Sequence, residues 1–293
     1  FDRIALVGIG LIGSSVARMV RQKDLAGHIA VTARSQESLD TARHLGIADS
    51  FTLDQGEAVT DADLVMICSP VSTYGAIMET IAPSLKPGAI VTDVGSVKSA
   101  VVRDAAPHIP DGVHLIPAHP VAGIEQSGPE AGFAELFEGR WCVITPTENA
   151  DQTAVDKVAA LWRAAGSDVE FMDPDHHDQV MAMTSHLPHL IAYTIVGTAT
   201  DLEKSLMNEV IKYSAGGFRD FTRIAASDPT MWRDVFLNNK EAVLETLQRF
   251  NEDLTALQRA IRWGEADELF NFFTKTRNIR RGVIDAKQEK LYD

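Results

Sequence analysis

The chain has 293 residues, 45% of them apolar and 23% charged, and its 27 Lys and Arg against 41 Asp and Glu leave a formal net charge of −14. That balance disfavours nucleic acid and anionic membrane as partners, while a local basic pocket for an anionic substrate stays open. No apolar run approaches the ~20 residues of a membrane span and no signal peptide is read, and the length suits two domains.

The chain opens at Phe1 without a methionine, so a missing true terminus is an expectation. Ile4 to Val7 are four apolar residues in a row, as in a strand buried on both faces of a parallel sheet. Gly8-Ile-Gly10-Leu11-Ile12-Gly13 follows at once, and apolar periodicity from Ser14 to about Lys23 predicts a helix. Strand, glycine turn and helix in this order form a dinucleotide-binding fingerprint. Gly8 permits the tight turn, Gly10 the approach of backbone to a pyrophosphate, and Gly13 the packing of helix on strand. The pyrophosphate would rest on free N–H groups at the helix start, around Leu11 and Ile12. A loop that needs glycines only to turn is the competing reading. It leaves unexplained a glycine inside a helix, where it costs ~1 kcal/mol relative to alanine.

His28 to Arg34 reads as the second strand. An NAD site ends this strand with an acidic residue ~20 residues past the glycines. Here Ala33 stands there, followed by Arg34 and Ser35. Arginine suits a 2′-phosphate, so NADP is slightly favoured; an Arg34 that stacks on adenine or is solvated would leave NAD. Leu64 to Cys68 is a further buried strand, closed by Ser69-Pro70, whose loop should line the cofactor. Ser72 to Leu85 reads as a helix and Ala89 to Asp93 as a strand. Val94 to Lys98 caps the next helix, and Ser96 is readable as a plain N-cap. Val113 to Ile116 is the sixth strand and delivers Pro117-Ala-His119-Pro120 to the same sheet edge. A histidine held between prolines on a loop is a candidate for acid–base work.

Gly128 to Gly139 reads as a glycine-punctuated loop able to cover a cleft. Trp141 to Thr145 and Asp168 to Met172 read as strands, with a helix at about 150–165 between them. Cys68 and Cys142, in strand-like stretches, read as buried free thiols suited to a reducing cytosol. After Asp173-Pro174 strand signals end and helical periodicity takes over. The expected fold is therefore α/β: a Rossmann-type dinucleotide-binding domain over 1–172, followed by an all-α substrate and dimerisation domain over 173–293.

Asp175-His176-His177-Asp178 opens the second domain. Adjacent histidines face apart on a helix, so a solvated helix start is expected rather than a metal site. Pro188 should kink the helix and free a carbonyl. His186 and His189, three apart, share a face; they are either core histidines or substrate hydrogen-bond donors. Arg219 and Arg223 are four apart beside Gly216-Gly217, which suits a carboxylate clamp or a solvated, Asp-paired face. From about Asn239 two long amphipathic helices flank Trp263-Gly264, and such faces commonly meet a second subunit. The basic run Lys275 to Arg281 reads as solvated surface.

Five motifs in order now carry a resemblance. They are the glycine fingerprint with Ser14, Asp93-x-Gly95-Ser96-Val97-Lys98, His119-Pro-x-Ala-Gly123, Ser185-His186-Leu-Pro188-His189, and Gly217-Phe-Arg-Asp-Phe-Thr-Arg-Ile-Ala225. From Ile4 to about Asn239 the chain resembles the prephenate/arogenate dehydrogenase family, which makes tyrosine. The resemblance implies that His119 accepts the proton of the ring hydroxyl and that Ser96 hydrogen-bonds this hydroxyl and helps place the nicotinamide. It implies that Arg223 binds the ring carboxylate, that Arg219 is a basic position near the substrate carboxylates, and that His186 and His189 line the substrate pocket. Oxidative decarboxylation of prephenate and/or arogenate to 4-hydroxyphenylpyruvate and/or tyrosine with NADP or NAD follows, with no metal, in a cytoplasmic homodimer. Any inhibition by tyrosine would act at the active site. Two departures stand out: Ile124, where relatives often carry a hydroxyl residue, and Ala33, where an NAD enzyme carries an acid. The alternatives are a β-hydroxyacid dehydrogenase or imine reductase, for which Lys204 and Lys212 are the nearby lysines, and a non-catalytic nicotinamide-sensing protein. Against the latter, Ser96, His119, His186 and Arg223 are all present.

Overall fold

The apolar runs of the first half form the inner strands of a sheet, in a computed structural model that describes residues 1–200 and 216–285. Six parallel strands, β1 (Arg3–Val7), β2 (His28–Thr32), β3 (Ser50–Thr52), β4 (Leu64–Ile67), β5 (Ile90–Asp93) and β6 (His114–Ile116), lie in the order β3-β2-β1-β4-β5-β6. Alternate residues serve opposite faces. Ile4, Leu6, Leu64 and Met66 enter one apolar layer with Met19, Phe137 and Trp162. Ala5, Val7, Val65 and Ile67 enter the other with Tyr74, Ile77, Val101 and Trp232.

Helices α1 (Leu11–Gln22), α2 (Gln36–His44), α3 (Gln55–Val59), α4 (Tyr74–Ile81) and α5 (Lys98–Ala105) intervene between these strands. Helix α2, α3 and β3 have no apolar run to announce them; in α2 only Leu39 and Ala42 are buried. A second sheet joins β7 (Ala118–Pro120) antiparallel to β8 (Trp141–Ile144), and β8 parallel to β9 (Asp168–Phe171). Helix α6 (Gln152–Ala164) precedes β9. His119 is thus not on a loop. It is a buried strand residue opposite Val143, and Pro120 is tolerated because β7 is an edge strand.

After Phe171 every regular element among the described residues is helical. Helix α7 (Pro174–Met181) runs through a π-helical turn, Ala182–His186, into α8 (Leu187–Thr200). Pro188, which has no N–H for a regular turn, stands just after this wider one. Helices α9 (Gly216–Thr222) and α10 (Pro229–Asn238) follow. Residues Phe1–Lys240 form one compact unit, whereas the sequence divides the chain at 172/173. Residues 241–293 form a second unit, which holds most of α11 (Lys240–Trp263) and all of α12 (Ala266–Asp285). Between them Gly264 takes φ +69°, a left-handed turn that glycine adopts at no steric cost. Leu254, Ile261, Trp263, Phe270 and Phe273 of this unit are exposed. Among the described residues no helix is long and apolar enough to cross a membrane.

Candidate active site

The strand order reverses between β1 and β4, and ligands of such sheets gather at this point, beyond the strand C-termini. The three glycines after β1 differ in what a side chain would meet. At Gly8, φ +106°, a Cβ would lie 2.7 Å from the Cys68 carbonyl oxygen and 2.9 Å from Ser69 Oγ. At Gly13 it would lie 2.2 Å from the Gly8 carbonyl oxygen. At Gly10 it would meet nothing within 4 Å. Two glycines therefore serve packing, and the third keeps a flank open for a ligand to approach. Gly10 is also the N-cap of α1, and no side chain caps that helix. Its first N–H groups and the positive end of its dipole suit a pyrophosphate, so these residues fit a dinucleotide. Ser69 Oγ donates to the Val7 carbonyl (3.1 Å), which ties the β4 loop to the fingerprint. Arg34 is exposed just beyond β2, and Ser35 accepts from the Ser38 N–H to cap α2. The loop after Gly128 lies on α1: Gly132 meets Ser14 so closely that a Cβ would stand 2.1 Å from its Oγ, and the Phe133 N–H donates to Ser15 Oγ.

Ser96 is not an N-cap. Helix α5 starts after Val97 without a cap from its own segment, and Asp178 of α7 accepts from the Lys98 and Ser99 N–H groups at 2.7 and 2.9 Å. The Ser96 hydroxyl, partly buried, hydrogen-bonds to no described residue.

His119 sits in a dense polar cluster. Its Nδ1 lies 2.8 Å from His177 Nε2, and His177 Nδ1 lies 2.8 Å from Asp178 Oδ1. The His119 backbone is held from the preceding residue. The Ala118 N–H donates to Asp93 Oδ1 (3.1 Å), and the Ala118 carbonyl accepts from Lys98 Nζ (2.7 Å), which is itself 2.5 Å from Asp93 Oδ2. Asp93 also accepts from the Gly95 N–H and the Tyr74 hydroxyl, so both members of this buried pair are hydrogen-bonded beyond each other. Burial pushes His119 well below the usual imidazole value, and positive charge at His177, Lys98 and His186 pushes the same way. Burial also lowers His177, against the pull of Asp178. The cluster thus keeps its imidazoles neutral, the state a base requires.

His186 is fully buried and close to His119 electrostatically. Asn239 Nδ2 donates to the Asp178 carbonyl (2.8 Å) and lies 3.1 Å from His186 Nδ1. An amide nitrogen only donates, so His186 carries its own proton on Nε2, a buried donor with no partner among the described residues. His189 stacks on Trp232 with centroids 3.6 Å apart, and its Nδ1 donates to the Ser185 carbonyl. Arg223 pairs with Glu125, two residues beyond the His119 motif, whereas Arg219 pairs with Asp220 in solvent. The two arginines have separate carboxylate partners. The structure therefore gathers His119, His186 and His189 into one cluster and leaves Arg219 at the surface. Lys204 and Lys212 lie outside the described residues.

The sequence expectation of a solvated start to α7 fails at its second histidine. His176 is exposed, but His177 and Asp178 are buried. The missed signal is periodic: His177 and Asp178 precede the buried Met181 and Ala182 by one turn and so share their face. Asp93 and Lys98 stand in the second motif without a role of their own, and Asn239 is not singled out, since each acts through contacts remote in sequence. Both cysteines are free, Cys142 buried and Cys68 partly so.

Comparison with known proteins agrees with this geometry. The family model described as prephenate dehydrogenase, nucleotide-binding domain, matches residues 16–171, and that described as prephenate dehydrogenase, dimerization domain, matches 173–275. The chain is 40% identical over 280 residues to cyclohexadienyl dehydrogenase of Zymomonas mobilis, covering 96% of this chain and 95% of the relative. It is 32% identical to prephenate dehydrogenase of Bacillus subtilis, over 96% of this chain and 76% of the relative. Among solved structures it is similar to prephenate dehydrogenase from Aquifex aeolicus in complex with hydroxyphenyl propionate and NAD+, with a TM-score of 0.89 and 35% identity, covering 97% of this chain and 98% of that one.

Proposed function

The chain belongs to the prephenate dehydrogenase family, and on that premise we propose that it oxidises and decarboxylates prephenate, arogenate or both in tyrosine biosynthesis, with His119 as the base. The observation that carries this reading is a buried imidazole kept neutral and held on both its backbone and its ring side. The substrate ring carries a hydroxyl at C4 and a carboxylate at C1. A bound nicotinamide supplies the hydride acceptor for C4. Neutral His119 takes the hydroxyl proton, and the C4 carbonyl so formed accepts the electron pair of the C1–carboxylate bond as CO2 leaves. The ring becomes aromatic, which drives the step. The protein's task is to orient the ring, supply the base and bind carboxylates.

Ser96, whose hydroxyl hydrogen-bonds to no described residue, suits the hydroxyl partner on the substrate. The Nε2 proton of His186 suits a substrate oxygen, and His189, stacked on Trp232, suits a pocket wall. Arg223 is the proposed site for the ring carboxylate, with Glu125 exchanged for the ligand. Arg219 is proposed as a peripheral basic group. Gly8, Gly10, Leu11, Ile12, Gly13, Ser69, Arg34 and Ser35 are proposed to hold the cofactor, with Arg34 favouring NADP. The functional division at 172/173 is supported by the meeting point of the two family matches. The exposed apolar side chains of residues 241–285 support a homodimer, and the free thiols support a cytoplasmic location. Tyrosine, which shares the ring and the side-chain carboxylate, is the proposed inhibitor of the same site. The β-hydroxyacid dehydrogenase and sensor readings are not favoured.

The test is initial rates of reduced-nicotinamide formation with prephenate and arogenate, each against NAD and NADP. Turnover in any pair supports the reaction, and the ratios of kcat/KM rank substrates and cofactors. Silence in all four, with cofactor still bound, refutes it.

A further inference from the structure

We infer that His177 and Asp178 are positioning residues that fix which nitrogen of the His119 ring carries its proton, leaving Nε2 as the base. The inference rests on the assignment of His119 above. One chain of hydrogen bonds decides it, through the donor and acceptor capacity of an ionised carboxylate and two neutral imidazoles.

Asp178 is the fixed end. Its Oδ1 accepts from the Lys98 N–H at 2.7 Å and its Oδ2 from the Ser99 N–H at 2.9 Å. Burial works against the charge, but the bonds from His177, Lys98 and Ser99 outweigh it and hold the carboxyl below its usual range. An ionised carboxylate only accepts. His177 Nδ1, 2.8 Å away, must therefore carry a proton. Neutral imidazole has one N–H, so His177 Nε2 is an acceptor. His119 Nδ1, 2.8 Å from it, must then be the donor. With that proton on Nδ1, the lone pair of neutral His119 is on Nε2.

The surroundings keep both rings to this pattern. His177 is fully buried, and both its nitrogens are engaged within the chain. Among the described residues, the charged and titratable groups around the His119–His177 pair are Asp93 on β5, Lys98 at the start of α5, Cys142 on β8, Asp178 on α7, and His186 on the π turn. Lys98 is already committed to Asp93 and the Ala118 carbonyl. Asn239 applies the same rule to His186 with the opposite result, a proton on Nε2. One cluster thus presents a lone pair at His119 and a proton at His186, the two complements needed by a hydroxyl and an acceptor oxygen.

The competing account is that Asp178 only caps α5 and His177 only fills space. Two measurements on the full-length enzyme with cofactor separate them. The first is the 15N–1H spectrum of histidine-labelled enzyme, with the His119 signals assigned by their loss in His119→Asn. A proton on Nδ1 of wild-type His119 is expected, and a proton on Nε2 overturns the inference. This readout needs no turnover, so it stands even if neither proposed substrate reacts. The second compares His177→Gln with His177→Met. The glutamine amide can donate to Asp178 and accept from His119, so its orientation is dictated as the imidazole's is. A kcat within about tenfold of wild type is expected there. His177→Met removes the acceptor, and kcat should fall ~10²–10⁴-fold with KM within about threefold. Wild-type turnover in His177→Met, or equal losses in both variants, overturns the assignment.

Discussion

Replacing Gly13 with alanine sets two effects against each other. Alanine is better than glycine inside a helix by ~1 kcal/mol. The added Cβ, however, would stand 2.2 Å from the Gly8 carbonyl oxygen, where ordinary contact is about 3.5 Å. That carbonyl cannot give way easily. Gly8 holds φ +106°, its N–H donates to the Thr32 carbonyl at 2.9 Å, and its other flank meets Cys68 and Ser69. Helix α1 must therefore move by about 1 Å. Overpacking of this kind costs ~1–3 kcal/mol, so the net loss is about 0–2 kcal/mol, or up to roughly 8 °C in melting temperature. A shift of ~1 Å at the proposed pyrophosphate site should also weaken the cofactor-dependent step by ~10²-fold. Gly10→Ala is the control: nothing lies within 4 Å, so stability should stay within about 1 kcal/mol while NAD(P)H binding weakens. Calorimetry of the cofactor-free enzyme and fluorescence titration with NAD(P)H measure both. A Gly13→Ala enzyme that melts no lower than wild type and binds cofactor normally would refute the packing argument.

His119→Asn should lower kcat ~10²–10⁴-fold with little change in cofactor affinity, and an unchanged kcat would remove His119 from the chemistry. Arg223→Ala should act mainly on substrate KM; steady-state kinetics giving a normal KM would sink the carboxylate assignment. Arg34→Glu should move the NADP-to-NAD ratio of kcat/KM at least about tenfold towards NAD, and a ratio that does not move would mean Arg34 does not read the ribose. Acid should destabilise the fold through its buried histidines. Burial lowers His186 from 6.5 to about 4, so between these values the unfolded chain binds more protons. The contribution is full above pH 6.5 and is lost as pH falls towards 4, by about 2 kcal/mol at pH 5. Urea titrations at pH 7 and pH 5 should differ by at least this much, since His119 and His177 shift the same way; equal stabilities would contradict the burial.

The parts of this architecture that repeat locally were legible in the chain. Apolar runs at Ile4–Val7 and Leu64–Ile67 can only be strands buried on both faces, and glycines at 8, 10 and 13 have distinct steric tasks that their spacing already implies. His119 was recognisable by its motif, although its place in an edge strand was not, because a three-residue strand that follows one proline and ends in another carries no strand signal. Asp178 was illegible for a different reason. It caps a helix whose first residue lies eighty positions earlier, and no periodicity reports a partner at that distance. The same holds for Asn239, which joins Asp178 to His186. Arg219 and Arg223 share a spacing, yet the helix ends between them at Thr222, so the one-turn geometry that the spacing assumes is interrupted.

The π turn at Ala182–His186 makes the long helix out of frame with itself. In an unbroken α-helix, at about 100° per residue, His186 would point about 180° away from His177, and His189 about 120° away. One extra residue in the turn takes up about 100°, which brings these offsets to about 80° and about 20°. The helix therefore presents histidines from three separate turns to one interior, although no 3.6-residue register contains them all. Along this stretch the quantity under constraint is residue number as much as residue type. A one-residue deletion between Ala182 and His186 would leave every proposed side chain in place in the sequence, regularise the helix, and aim half of them elsewhere.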